Sequence, residues 1–194
     1  MRRDFMDVKD AIISRRSIFK FKQEPVPKDV IEQIFSYGIW APNHHVTEPW
    51  RFTVIGEKTK LILAQRYREI KMEDTPDHVD AVNLAKIGEL AYEKFMSKPT
   101  IIAVSCIQDG DEQRQREDYA AACCAMQNVQ LAAWDVGVGM QWSTGRITME
   151  EQTYKLLRID SSQEYIIGFF YTGYPAEIKE PKRQPAADFI RWVA

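Results

Sequence analysis

The sequence predicts an α+β domain, a sheet flanked by helices, on three observations. Helical and strand periodicities mix without a regular βαβ rhythm, and helix dominates. The 194 residues, 45% of them hydrophobic, suit one core, because a chain of this size buries roughly 70% of the surface its unfolded form exposes. No internal repeat or low-complexity segment interrupts the pattern. One domain over residues 1–194 is the expectation.

The elements follow in order. Val8, Ala11 and Ile12 fall on one face of a short helix over 8–14, with Asp7 as its N-cap. Residues 15–26 read as a polar connector. Val30, Ile31, Ile34, Phe35 and Ile39 repeat at helical spacing over 27–40, with Pro27 in the first turn. Alternation over 51–55 marks a strand, and a helix over about 59–70 follows. Pro76 and its charged neighbours break the chain; Val79, Val82, Leu90 and Phe95 then suggest a helix ending before Pro99.

Residues 100–107 form a buried-type strand, and the charged stretch 108–117 reads as a solvated loop opening the next helix. Residues 119–136 are apolar on nearly every face and rich in Ala, as in a helix at the centre of the fold or at a subunit contact. A strand over 138–142 follows. Thr148 with Glu151 has capping-box spacing for a helix to about 157, and 165–174 is a clear strand. The tail, 175–194, has three prolines yet carries Phe189 and Trp192, costly to leave in water, and is expected to wrap over another surface such as a second subunit.

Composition excludes several classes. Twenty-six Lys+Arg against 28 Asp+Glu leave a net charge of -2, with no field for a polyanion, so nucleic acid is not an expected partner. The opening residues carry no apolar signal core, and no run approaches the roughly 20 residues that span a bilayer. Three cysteines without a CxxC fit a reducing cytoplasm and disfavour thioredoxin chemistry or a Cys-rich zinc site.

Four segments carry chemistry. Arg15-Arg16-Ser17 places two guanidinium forks and a hydroxyl where a helix gives way to a loop. That set suits phosphate oxygens; equally, it reads as a basic helix C-terminus meeting its own dipole. Ala41-Pro42-Asn43-His44-His45, with Glu48-Pro49-Trp50, suits either a wall for a flat, polar-edged ligand or an ordinary Pro-punctuated connector. A metal is disfavoured there, since adjacent histidines lack i,i+4 geometry and no further strong ligand is near in sequence. His78 reads as surface. Gly137 to Gly145 lacks the glycine at Trp142 that a dinucleotide fingerprint needs and follows a helix rather than preceding one; no P-loop run exists. Pro181-Lys182-Arg183-Gln184-Pro185 is a basic pair between prolines.

In this order the segments resemble the nitroreductase family: Arg-Arg-Ser after the first helix, Ala-Pro and Pro-Trp bracketing a loop into a strand, a Gly-rich strand in the last third, a basic Pro-flanked tail. The likeness covers essentially the whole chain. It is closest to the small single-domain subgroup with a Pro-Asx-His element, here Pro42-Asn43-His44, and Trp142-Ser143-Thr144-Gly145 at the strand's end.

The resemblance implies a mostly antiparallel sheet flanked by helices, a C-terminal extension reaching the partner of a homodimer, and two FMN sites across the subunit interface. It implies hydride transfer from NADH or NADPH through flavin N5 to a small planar acceptor such as a nitroaromatic or quinone. A flavin-dependent dehydrogenase or desaturase, or a slow FMN-binding redox sensor, are the alternatives. Arg15, Arg16 and Ser17 would meet the FMN phosphate, ribityl and nearby ring atoms. Asn43 and His44 would join from their loop, Trp142, Ser143, Thr144 and Gly145 would border the isoalloxazine, and Arg183 and Lys182 would reach the phosphate. No side-chain catalyst and no metal is implied, since the flavin carries the chemistry. The stretch 132–137 is linked by the same likeness to the nicotinamide cofactor. Departures from the family pattern are Phe19 in place of a basic residue, with Lys20 next to it, Val46 and Glu48 in place of Asn and Gln, and Ser-Thr-Gly in place of Glu-Gly.

Overall fold

Side-chain caps open three of the six described α-helices. In the computed structural model residues 6–193 are described; the opening residues 1–5, on which the expectation of no export segment partly rests, and Ala194 lie outside the described residues. The Asp7 carboxylate accepts from Lys9 N at 2.8 Å and opens α1 (Val8–Ser14). Pro27 precedes α2 (Lys28–Gly38). After β1 (Trp50–Ile55) and α3 (Glu57–Glu73), Asp80 caps α4 (Ala81–Met96), accepting from Val82 N and Asn83 N. β2 (Thr100–Ile107), α5 (Glu112–Asp135), β3 (Gly139–Ser143), α6 (Glu151–Leu157) and β4 (Glu164–Gly173) complete the order.

The four strands form one antiparallel sheet in the order β1-β2-β4-β3. Residue alternation divides its side chains between two cores. On one face Ile102, Val104, Phe170 and Met140 meet Ile31 and Ile34 of α2 and the Ala-rich flank of α5. On the other, Ile101, Ala103, Phe169 and Tyr171 meet Leu63 and Ile70 of α3 and Phe95 of α4. The expected α+β architecture is present, with helices on both faces. Gly38 lets α2 approach α5, since a Cβ there would stand 2.6 Å from Val129 Cγ2.

Four expectations need correction. The segment 15–26 is not simply polar: Ile18, Phe21 and Val26 are buried, and it runs beside the sheet through bridges from Ser17 to Met140 and from Phe21 to Pro175. Its buried positions follow the sheet edge rather than a regular period. Residues 112–117 are already helix, because Asp111 caps Arg114 N at 2.8 Å and their charges point to solvent from the first turns of α5. The Thr148 hydroxyl donates to the Gly145 carbonyl within a 3-10 turn, so no capping box forms and Glu150 stands at the N-cap of α6 without a side-chain bond. Val8 and Ile12, expected to share an apolar face with Ala11, are exposed while Ala11 is buried. The tail has a single short 3-10 turn, Ala186–Phe189, and leaves Phe189 at 73% and Trp192 at 90% exposure.

Candidate cofactor site

The end of α1 gathers positive charge. Arg15 is the C-cap, its N–H bonded to the Ala11 carbonyl. Arg16 turns its Nη1 back on the helix, donating to the Ile13 carbonyl at 2.6 Å and the Arg15 carbonyl at 2.7 Å. The helix-terminus reading is therefore realised for this one nitrogen. Arg183 arrives from the tail, close enough that burial, then repulsion from Arg16 and Arg183, lowers the Arg15 pKa. Arg15 Nε is buried with no hydrogen-bond partner. Among the described residues none of the three guanidiniums pairs with a carboxylate. Such a cluster, with an unsatisfied donor, is matched to an anion.

Ser17 and the Gly-rich strand lie side by side. Ser17 bridges Met140, two positions before Trp142, and Ile18 N donates to the Met140 carbonyl at 3.0 Å. The Trp142 indole lies across Gly168, where a Cβ would come within 2.5 Å of Nε1, and that Nε1 is buried without a partner. Ser143, next along the strand, lies on the opposite face, that of Tyr171, whose pKa burial pushes up to about 12. Thr144 and Gly145 are exposed at the strand's end.

What anchors that end was not legible in the sequence. Arg146 reaches Glu73 at 2.6 Å, Asp74 at 3.0 Å and Glu150 at 2.9 Å; Arg66 of α3 reaches Glu73 at 2.8 Å and Glu150 at 2.9 Å. Two guanidiniums sharing two carboxylates tie the loop after β3 to α3. Lys182, in contrast, contributes only its carbonyl, to Arg183 Nη1 at 2.9 Å. Lys20 pairs with Glu177 at 2.7 Å, so its ammonium is engaged in the tail.

Asn43 and His44 are elsewhere. His44 Nδ1 lies 2.6 Å from Glu117 Oε2, near the start of α5. Ser14, beside Arg15, accepts from Trp134 Nε1 at 2.8 Å, near the end of the same helix. Glu117 and Trp134 are about 25 Å apart along the axis at roughly 1.5 Å per residue, so one protomer does not bring the two halves of the expected site together. Asn43 organises its own loop, its Oδ1 accepting from Glu48 N at 2.6 Å and its Nδ2 donating to Thr47 Oγ1 at 3.0 Å. Thr47 in turn donates to the buried Asp118. His45, Val46 and Glu48 all have positive φ, at 60°, 53° and 45°. For a β-branched Val this is strained backbone.

Glu117 also supplies the third ligand that sequence spacing did not reveal: donor atoms of His44, His45 and Glu117 lie within 4.8 Å of one another. The two rings stack at 3.8 Å and 25°, so their lone pairs run side by side rather than converging, and His44 Nδ1 is occupied by Glu117. That is not the tetrahedral convergence a zinc site needs. The Glu117 carboxyl is held below the usual range by Gln113 and His44.

Two cavities flank the end of α5. One, of about 440 Å³, lies between α1, α2 and α5 and touches Ala132 and Val136; the other, of about 450 Å³, touches Trp134, Gly137 and Tyr174. Both open on the stretch 132–137.

The profile of the Nitroreductase family matches residues 12–174. The chain belongs to the nitroreductase family. A provisionally named NAD(P)H nitroreductase of Bacillus subtilis, YfhC, is 34% identical to this nitroreductase-family chain, covering 93% of it and 91% of YfhC. The crystal structure of a nitroreductase-like family protein from Bacillus cereus superposes with a TM-score of 0.82 at 28% identity, over 100% of this chain and 99% of that one. A nitroreductase from Desulfovibrio desulfuricans, solved with FMN, shares the fold at a TM-score of 0.73 and 24% identity, with 100% and 99% covered. Among the described residues of this family member no helix is long and apolar enough to cross a membrane.

Proposed function

We propose that the protein is an FMN-dependent oxidoreductase that passes hydride from NADH or NADPH to a small planar acceptor such as a nitroaromatic or quinone. Membership of the nitroreductase family and the NAD(P)H nitroreductase name of a 34% identical relative support the donor and the reaction class. The observation that carries the cofactor is the uncompensated group of Arg15, Arg16 and Arg183 with the buried, unpartnered Arg15 Nε. A phosphate monoester supplies the missing anion. Bound FMN would supply the hydride-accepting ring; the chain's part is to hold and electrostatically tune it.

The residues divide that work. Arg15, Arg16 and Arg183 hold the phosphate, with the Ser17 hydroxyl as a further donor. Trp142 forms an apolar wall, and Ser143, Thr144 and Gly145 border the ring from a loop kept rigid by Arg66 and Arg146. Lys182 is the most peripheral member. Asn43 and His44 fit this site only if a second copy delivers their loop, because their own protomer holds it about 25 Å away. A homodimer with two shared sites, the exposed Phe189 and Trp192 of each tail seated on its partner, satisfies both facts. All 194 residues then act as one domain. The free cysteines Cys106, Cys123 and Cys124 fit a cytoplasmic location.

Absorbance of the purified protein, identification of heat-released chromophore by mass, and anaerobic addition of NADH and NADPH test this reading. FMN bleached by either nucleotide, with steady turnover once an acceptor is added, is the expected result. Bleaching without turnover favours a redox sensor, and a colourless protein that takes up no FMN overturns the proposal.

A further inference from the structure

Lys98, between α4 and β2, is 3% exposed. Its ammonium donates to the Phe19 carbonyl at 3.0 Å and stands over the rings of Phe21 and Tyr171, 5.3 and 5.5 Å from their centroids. It has no carboxylate within ion-pair distance among the described residues. Burial, with repulsion from Lys94, lowers its pKa. A buried ammonium without a counter-charge costs free energy that an apolar side chain of similar shape does not. The packing of the second core therefore does not explain it.

Its contacts link the segment after Ser17 to the sheet. Phe19 lies two residues beyond Ser17 in an extended stretch clamped by Ile18 N to the Met140 carbonyl and by Ala176 N to the Lys20 carbonyl, each at 3.0 Å. Lys98 holds the carbonyl between those clamps. The ring of Tyr171, on the strand paired with the one that carries Ser143, supports the ammonium from the sheet. One buried positive charge thus holds the stretch that follows Ser17 against the sheet.

We propose that Lys98 is a positioning residue of the cofactor site, whose buried ammonium fixes the Ser17 segment through Phe19 and whose uncompensated charge favours the reduced, more anionic FMN over the oxidised form. This rests on the FMN reading above. Reduction adds negative charge to the flavin, and a fixed cation in a low-dielectric setting stabilises that charge without reorganising. A neutral donor would satisfy the Phe19 carbonyl equally well, so charge and hydrogen bond are separable by substitution.

The test compares Lys98→Gln, Lys98→Arg and Lys98→Met with the wild-type full chain by FMN titration, by the reduction potential of the bound flavin and by thermal melting. Lys98→Gln, folded and binding oxidised FMN, is expected to lose about tenfold in its preference for the reduced form and to show a more negative potential, with Lys98→Arg close to wild type. Lys98→Met loses oxidised FMN affinity as well. A Lys98→Gln protein with the wild-type potential overturns the proposal and leaves the FMN reading intact; a wild type that takes up no FMN overturns both. Should the neutral variants not fold, potentials measured from about pH 7 to 10 decide it, with Lys94 and Tyr171 as the other titrating neighbours. The wild-type potential then falls more steeply than that of Lys98→Arg, and equal slopes overturn the proposal.

Discussion

The end of α1 and the loop before β1 are both short, polar and placed at the mouth of a helix–strand framework, yet their charges are arranged in opposite ways. At Arg15, Arg16 and Arg183 like charges face one another with no carboxylate, on a segment pinned to the sheet by backbone bonds. At Asn43 and His44 the polar side chains find partners within the protomer, Glu117 for His44 Nδ1 and Glu48 N for the amide oxygen, and the backbone carries the strain instead. The first region lacks an anion, whereas the second is largely paired within itself, with Asp118 Oδ2 beneath it left without a partner among the described residues, and displays its rings outward. Under the proposed function a phosphate would complete the first, and a surface from a second protomer the second.

The largest effect that would sharpen this contrast is at Arg15. Arg15→Ala is expected to weaken FMN binding about 10- to 100-fold, the worth of one charge-assisted hydrogen bond of roughly 1.5–3 kcal/mol. Fluorescence titration with FMN and riboflavin checks it, because riboflavin lacks the phosphate and should bind both proteins alike. Equal losses for the two ligands would mean that Arg15 holds the fold rather than the anion.

Next comes the strand wall. Gly168→Ala drives a methyl to 2.5 Å from Trp142 Nε1 and 2.8 Å from the Ser143 carbonyl. Overpacking of this kind costs about 1–3 kcal/mol, which thermal melting reads as a drop of roughly 2–4 °C per kcal/mol at this size. An unchanged melting temperature would show that the indole is free to move.

In the second region Val46→Gly removes the strain at φ 53° and should raise stability by up to about 1 kcal/mol, the strain relieved less the entropy that glycine adds to the unfolded chain. A lower melting temperature would mean that the Val46 side chain, 77% exposed here, is buried in the assembled protein.

The smallest effect is at Arg66. Its pairs with Glu69 and Glu73 have exposed carboxylates and that with Glu150 a half-buried one, all open to screening by solvent, and so each contributes little. The Arg66 hydrogen bond, with help from Arg146, holds the Glu73 carboxyl below its ordinary value. Such a group stabilises the fold above its unfolded pKa and stops doing so as pH falls through the lower, folded one. The melting difference between wild type and Arg66→Gln should therefore hold from about pH 5 to 8 and shrink below about pH 4. A difference that grows in acid would contradict the assignment.

How much of this could be read beforehand depends on sequence distance. The periodicities of α2, β2 and β4 are local, and so is the Asp7 cap; each element is where its residues place it. Thr148 misleads because its hydroxyl finds the Gly145 carbonyl three residues back before it can cap α6. The connector misleads because Ile18, Phe21 and Val26 answer to the sheet beside them. Arg15 and Ser17 are recognisable by type and order. Arg183 beside Arg15, Glu117 beside His44 and Lys98 beneath Phe19 join residues that only the folded topology brings together, and no local pattern announces them.

Hybrid dimers test the central claim, that two distant regions of the chain complete one site across two subunits. Co-expression, with separate tags, pairs an Arg15→Ala, Arg16→Ala subunit with an Asn43→Ala, His44→Ala subunit. Each parent homodimer has two damaged sites; the hybrid has one site damaged twice and one intact. The hybrid is expected to bind about one FMN per dimer with wild-type affinity, while both parents bind weakly. A hybrid that binds no better than the weaker parent would place Arg15 and His44 in separate sites and rule out a site shared between subunits.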